Sequence, residues 1–196
     1  MRPAVFLDRD GTLLHDPGYL SRLDDLQWFP WSLDAVRLLN RAGFLVFVIT
    51  NQGGIALGLF DEAFVGAVHD RMRADLSSAG ARVDGWYYCP HHPRGEIAAL
   101  RIDCDCRKPR PGMIRQAQRQ FEFDLRRSFA VGDKATDVAL AAGVGARGVL
   151  VLTGHGEEER IRAGGAIPGA AFIGANLMDA TSWILTESGH PVPEAS

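Results

Sequence analysis

The stretch Leu7-Asp8-Arg9-Asp10-Gly11-Thr12-Leu13-Leu14 decides how the rest of the chain is read. The apolar run Ala4 to Leu7 leads directly into Asp8. A short apolar run that ends at a turn signal predicts a buried strand. Two carboxylates, Asp8 and Asp10, then stand at its carboxyl end, and Gly11 permits a sharp turn behind them. In an open α/β sheet, ligands bind outside the carboxyl ends of the strands. A lone D-x-D fits a capped turn equally well. What ends the other strands decides between the two.

Outward from this stretch, strand and helix patterns alternate. Ser32 is placed to cap a helix in which Leu33, Val36 and Leu39 share a face, with Gly43 as its stop. Phe44 to Ile49 is almost wholly apolar, the pattern of a strand covered on both faces. It runs into Thr50-Asn51-Gln52-Gly53-Gly54. Asp61 precedes a helix carrying Phe64, Ala67, Val68, Met72 and Leu76. Asp84 to Tyr88 reads as a third strand ending at Cys89, followed by an irregular excursion to Cys106. Pro111 opens a helix with Met113, Ala117 and Phe121 at helical spacing. Ser128 to Val131 is a fourth strand and enters Gly132-Asp133-Lys134. A helix over Asp137 to Ala142 stops at Gly143. Val149 to Leu152 and Ala171 to Ile173 are the fifth and sixth strands. Asn176 caps a last helix with Leu177, Thr181 and Ile184. The stretch Thr153 to Gly169 carries no diagnostic pattern.

This alternation predicts an α/β fold, a doubly wound, mostly parallel, Rossmann-like sheet with helices on both faces. One domain is expected over residues 1–187. Residues 188–196, rich in Ser, Gly, Pro and Glu, read as a flexible tail. Hydrophobic residues make up 46% of the 196, enough for a sizeable core, and the net charge is −3. That balance argues against nucleic acid as a partner. No apolar run approaches the ~18 residues of a membrane span. No basic segment followed by an apolar one marks a secretory signal. A cytoplasmic, monomeric protein is expected.

The chemistry collects at strand ends. Asp8 and Asp10 end the first strand, Thr50 the second and Asp133 the fourth, while Lys108 stands in a turn before a helix. An ionised Asp can attack phosphorus only when its repulsion from phosphate is cancelled. Mg²⁺ held by carboxylates does this, because it prefers hard oxygen ligands. A Lys ammonium adds a second positive charge, and a Thr hydroxyl with backbone N–H groups near Gly53 can bind the other phosphoryl oxygens.

These residues sit in Leu7-Asp8-Arg9-Asp10-Gly11-Thr12, Val48-Ile49-Thr50-Asn51-Gln52, Arg107-Lys108-Pro109 and Gly132-Asp133-Lys134-Ala135-Thr136-Asp137. Together they resemble the four ordered motifs of the haloacid dehalogenase-like (HAD-like) phosphatases, over roughly Ala4 to Leu152. The resemblance implies Asp8 as the nucleophile that forms an aspartyl-phosphate. It implies Asp10 as general acid and then general base, its proton affinity raised by Asp8 and the arriving phosphate. Mg²⁺ would be held by Asp8, the Asp10 carbonyl and Asp133, with Asp137 acting indirectly. Thr50 and Lys108 would stabilise the transferring phosphoryl group. On its own, Asp137 reads equally well as a solvated helix residue.

The three cysteines all fall between Cys89 and Cys106. With the pair His91-His92 they form C-x-H, twelve residues, then C-x-C, counting from His91. Three thiolates and one imidazole suit a closed, structural Zn²⁺ site. The chemistry alone does not choose between His91 and His92. Cys-Pro-His-His-Pro leading to Cys-Asp-Cys-Arg-Lys-Pro is similar to the D-glycero-D-manno-heptose 1,7-bisphosphate phosphatases, a capless branch with this zinc loop. That resemblance selects Cys89, His91, Cys104 and Cys106 as the ligands. It implies substrate contacts at Asp16, Pro17, Gly18, Tyr19, Thr50, Asn51, Gln52, Gly53, Arg107, Lys108 and Lys134. It further implies hydrolysis of the C7 phosphate of a small sugar bisphosphate, in activated-heptose synthesis for lipopolysaccharide or surface glycans. The alternatives are another sugar-phosphate phosphatase or a histidinol-phosphate phosphatase, the latter disfavoured by the long zinc insert. A non-catalytic phosphate-binding module is disfavoured by the intact Asp8, Asp10, Lys108 and Asp133.

Overall fold

The structure is a computed structural model and describes residues 1–190. Six strands form one sheet: β1 (Ala4–Leu7), β2 (Leu45–Asn51), β3 (Gly85–Cys89), β4 (Phe129–Gly132), β5 (Arg147–Val151) and β6 (Ala170–Gly174). Their order is β3-β2-β1-β4-β5-β6, and every neighbouring pair is parallel. This is the doubly wound arrangement expected from the alternation. The strand order reverses between β1 and β4, and ligands bind at such a switch point. Six helices cover the sheet: α1 (Ser32–Arg41), α2 (Glu62–Ser78), α3 (Gly112–Gln120), α4 (Ala135–Val144), α5 (Gly156–Arg162) and α6 (Leu177–Glu187).

The period-two alternation of each strand divides the core into two layers. Val5, Leu7, Val46, Val48, Val131 and Val149 face α1, α2 and α6 through Val36, Leu39, Val68, Met72 and Ile184. Ala4, Phe6, Phe47, Ile49 and Ala130 face α3 and α4 through Met113, Ile114, Ala117 and Leu140. Phe6 stacks on Phe47 with ring centroids 5.3 Å apart. Truncating a residue such as Phe47 to Ala would cost about 3–5 kcal/mol.

Several boundaries differ from the sequence reading. β2 runs on through Asn51, so Thr50 and Asn51 are strand residues paired with Tyr88 and Cys89. Ser32 lies inside α1 behind a Trp31 cap, and its Oγ donates to the Leu13 carbonyl at 2.7 Å. A buried tertiary acceptor displaces the capping role there. α4 passes through Gly143 and ends at Gly145, whose φ of +75° makes the left-handed stop. Phe121 closes α3 in extended backbone and packs its ring on Phe47. α5 lies in the stretch that showed no pattern. Residues 188–190, expected to begin a tail, close α6 through hydrogen bonds from Ser188, Gly189 and His190 N–H groups to its last turn. Residues 191–196 lie outside the described residues. Among the described residues, no helix is long and apolar enough to cross a membrane.

Candidate active site

Asp8 follows β1 directly, and its N–H donates to the Val131 carbonyl at 2.9 Å. That bond carries the β1–β4 register one residue further and fixes where the carboxylate emerges. Asp8 Oδ1 accepts the Arg9 backbone N–H at 2.7 Å and lies 2.9 Å from Lys108 Nζ. Burial pushes the Asp8 carboxyl above the usual range, with Lys108 opposing the shift. Lys108 Nζ also lies 2.7 Å from Asp137 Oδ1 and donates to the Ile49 carbonyl at 3.0 Å. Three acceptors match its three N–H donors, which lets a buried ammonium persist. Burial works against that charge, but Asp137 and Asp8 prevail and hold the lysine above its ordinary pKa.

Asn51 holds the backbone of Lys108. Its Oδ1 accepts the Lys108 N–H at 3.0 Å, and its Nδ2 donates to the Lys108 carbonyl at 3.4 Å. Asn51 lines the cavity as expected, but its side chain serves as a brace. Asp137 is buried rather than solvated. One of its oxygens faces Lys108 and the other accepts the Lys134 N–H at 3.2 Å. Its position is that of an orienting residue.

Asp133, at the end of β4, is wholly buried. Its Oδ2 accepts the His155 N–H at 2.9 Å, while Oδ1 has no hydrogen-bond partner. Burial and the charge of Asp8 push its pKa up to about 7. Asp8, Asp133 and Asp137 each place an oxygen within 4.8 Å of the others'. Three crowded carboxylates and one orphaned oxygen fit a hard divalent cation such as Mg²⁺. Two glycines make the approach to Asp133. Gly11 and Gly154 have φ of +81° and +55°, and a Cβ on either would collide with the Asp133 carboxylate.

Asp10 departs from the expectation that its proton affinity is raised. Arg9 folds back on it, with Nε 3.0 Å from Oδ1 and Nη2 2.9 Å from Oδ2. Gln52 Nε2 donates to Asp10 Oδ2 and to Thr50 Oγ1, both at 2.8 Å. Burial alone would raise Asp10, but Arg9 and these hydrogen bonds hold it below the usual carboxylate range. The neighbouring arginine, 1% exposed, is the group that the sequence reading left out.

Asp8, Asp10, Thr50 and Lys108 line a cavity of about 430 Å³. Asp16, Gly18, Tyr19, Asn51, Gln52, Gly53, Arg107 and Lys134 line it as well. Pro17 does not. Gly18 N–H donates to Asp16 Oδ1 at 2.8 Å, and this tight turn leaves Pro17 outside the lining, exposed. Lining residues missed from sequence include Phe60, His92 and His155. His155 Nε2 lies 3.4 Å and Lys134 Nζ 3.5 Å from Asp16 Oδ2. The segment Thr153–His155 follows β5 and reaches back to β1, with Thr153 Oγ1 donating to the Gly11 carbonyl at 2.6 Å. Its place after a strand's carboxyl end was the one signal available to find it.

Beside the cavity, Cys89, His91, Cys104 and Cys106 converge. Cys106 Sγ lies 3.2 Å from Cys89 Sγ and 3.3 Å from Cys104 Sγ, and His91 Nδ1 lies 3.2 Å from Cys106 Sγ. A disulfide would need about 2.05 Å. Tetrahedral Zn–S bonds of about 2.3 Å would set the sulfurs about 3.8 Å apart. The donor set of three thiols and one imidazole therefore fits a structural Zn²⁺. Burial pushes the Cys89 thiol up to about 11. The loop is joined to the cavity by Arg107, whose Nη1 donates to the His91 carbonyl at 3.1 Å. The second histidine of the pair, His92, faces the cavity instead of the sulfurs.

Comparisons agree with this geometry. The HAD-hydrolase-like family model matches residues 105–180. The D-glycero-beta-D-manno-heptose-1,7-bisphosphate 7-phosphatases of Yersinia pestis and Escherichia coli strain K12 are each 46% identical over 154 residues. The alignments cover 78% of this chain and 81% and 80% of those proteins. The crystal structure of a D,D-heptose 1,7-bisphosphate phosphatase from B. bronchiseptica, complexed with magnesium and phosphate, superposes with a TM-score of 0.82 at 36% identity. That match covers 95% of this chain and 99% of the other.

Proposed function

The chain belongs to the D-glycero-β-D-manno-heptose-1,7-bisphosphate 7-phosphatase family of HAD-like hydrolases, and from that premise we propose that it removes the C7 phosphate from the β-anomer of this bisphosphate. The product would enter activated-heptose synthesis for lipopolysaccharide or surface glycans. One observation carries the reading. The cavity lined by Asp8 and Lys108 is also lined by Arg107, for which no carboxylate lies within ion-pairing distance among the described residues. One cavity thus offers a reacting phosphate position and a second anion position.

Asp8 attacks the C7 phosphorus and displaces the sugar O7, forming an aspartyl-phosphate. Lys108 and Thr50 face the transferring oxygens, where fixed donors stabilise developing charge. Asp10 delivers the proton that O7 needs. Arg9 and Gln52 hold Asp10 as a carboxylate before substrate arrives; the phosphate's negative charge raises its proton affinity on binding, and Asp10 takes up from solvent the proton that it passes to O7. Asp10 then takes a proton from water as that water attacks the phosphorus, which releases phosphate and restores Asp8. Asp8, Asp133 and the Asp10 carbonyl would hold Mg²⁺, which when bound supplies positive charge against the phosphate. Asp137 keeps Lys108 in line. Cys89, His91, Cys104 and Cys106 would hold a structural Zn²⁺ that positions Arg107. A monomer acting in the cytoplasm on this small substrate completes the reading.

Phosphate release from a substrate panel tests it, with Mg²⁺ and with a chelator. The panel holds both anomers of the heptose bisphosphate, histidinol phosphate and fructose 1,6-bisphosphate, with Asp8→Asn as control. Mg²⁺-dependent preference for the β-anomer, lost in the control, is expected. Equal, weak turnover of all substrates would keep the phosphatase chemistry and overturn the substrate.

A further inference from the structure

His92 is the half of the His91-His92 pair that the metal cluster does not use. It is nevertheless placed with care. Its N–H donates to the Leu100 carbonyl at 3.2 Å, and its carbonyl accepts the Gly95 N–H at 3.0 Å. Both ends of its backbone are therefore pinned within the zinc loop. Its ring is also fixed in one tautomer. Nδ1 accepts the Arg94 backbone N–H at 3.1 Å, so Nδ1 carries a lone pair and the ring proton sits on Nε2. The ring lines the cavity.

Arg107 stands beside it. Around Gly53, the nearest atoms to an ideal Cβ are His92 Cδ2 at 3.0 Å and Arg107 Nη1 at 3.2 Å. The imidazole and the guanidinium thus converge on one backbone position. The other cavity cations are already matched to acids. Lys108 faces Asp8 and Asp137, and Lys134 lies between Asp16 and Asp133. The Arg107 guanidinium is bonded only to a carbonyl, that of His91, among the described residues. An anion entering the cavity away from Asp8 meets Arg107, and beside it an imidazole N–H.

Resting on the bisphosphatase reading above, we infer that His92 is a specificity-determining residue whose Nε2–H donates to the non-reacting phosphate of the substrate, beside Arg107. The zinc loop carries both groups and so sets the distance between the two phosphate positions.

The test uses the zinc-loaded full chain, with heptose 1,7-bisphosphate and heptose 7-phosphate as paired substrates. His92→Asn keeps an acceptor for the Arg94 N–H and removes the Nε2 donor. His92→Gln restores a donor at that reach. Loss of a hydrogen bond to a charged group predicts about a tenfold or greater rise in KM for the bisphosphate in His92→Asn. The monophosphate KM should shift less than about threefold, and His92→Gln should recover most of the loss. Zinc content by metal analysis should match the unaltered protein. Equal KM shifts for both substrates, or a fall confined to kcat, would overturn the inference. If the unaltered protein hydrolyses neither heptose phosphate, the functional reading is what fails. The ring is then judged by long-range ¹H–¹⁵N correlation on ¹⁵N-histidine protein. A proton on Nε2 whose signal shifts on adding inorganic pyrophosphate supports His92 as an anion donor. A proton on Nδ1, or no shift, overturns it.

Discussion

Lys108 Nζ lies 2.7 Å from Asp137 Oδ1, closer than its 2.9 Å approach to Asp8, the proposed nucleophile. The lysine is therefore anchored from behind by a helix residue and presented to Asp8 from that anchor. All three groups are buried, Asp8 and Lys108 on the cavity lining and Asp137 behind them.

Removing the cation should expose the cost of that arrangement. Lys108→Met leaves Asp8 and Asp137 buried and unpaired, a loss of about 3–5 kcal/mol in urea unfolding at neutral pH. The loss should shrink as pH falls and Asp8, already raised by burial, protonates. Turnover should drop by about 10²-fold or more. The pKa of Lys108 is raised in the fold, so its contribution to stability is complete below the unfolded value near 10.4 and is lost as pH rises through the folded one. Alkaline titration of stability above about pH 10 reads this in the unaltered protein.

Asp133 should show the opposite trade. Its folded pKa is raised to about 7, so ionising it weakens the fold as pH climbs from the unfolded value toward 7. In chelator at pH 8, Asp133→Asn should melt about 4 °C or more above the unaltered protein. It should also be inactive. Mg²⁺ should raise the melting temperature of the unaltered protein and leave the variant unchanged. An unstable variant in chelator would refute the account of Asp133 as a strained cation ligand.

Zinc removal should act through Arg107. A folded Cys104→Ser, Cys106→Ser variant keeps Asp8, Asp10, Thr50 and Lys108 and loses the loop geometry behind the Arg107–His91 contact. We expect kcat/KM for the bisphosphate to fall about tenfold or more, with far-UV circular dichroism retained. Burial raises the Cys89 and Cys106 thiols, so zinc must displace protons and bind more tightly as pH rises. Competition with a chelator at pH 6 and pH 8 measures that slope.

The loop after β5 can be tested by one methyl group. Gly154→Ala drives a Cβ into the Asp133 carboxylate from a left-handed backbone, and turnover should fall by about 10²-fold with the sheet intact. Gly143→Ala is the control. Its Cβ meets nothing inside α4, and it should stabilise by about 0.5–1 kcal/mol without changing turnover.

Local patterns carried much of this protein. The apolar runs at Ala4–Leu7 and Phe44–Ile49, each ending in polar residues, identified parallel strands whose carboxyl ends bear the chemistry. Alternation of strands and helices sufficed for the doubly wound sheet, because crossover connections leave few topologies open. The Cys-x-His and Cys-x-Cys pairs pointed to a metal loop, because donor type and spacing are written directly in the chain. Tertiary structure decided the rest. That Arg9 folds onto Asp10, that Asn51 grips the Lys108 backbone, and that Asp137 anchors the Lys108 ammonium all depend on side-chain directions that no periodicity encodes. Thr153–His155 joined the site only because β5 lies beside β4, which puts a patternless loop within 2.9 Å of Asp133. His91 and His92 are chemically identical in sequence. Which one meets sulfur and which one meets the cavity follows from the path of the backbone through a folded loop, where a one-residue step turns a side chain to the other side.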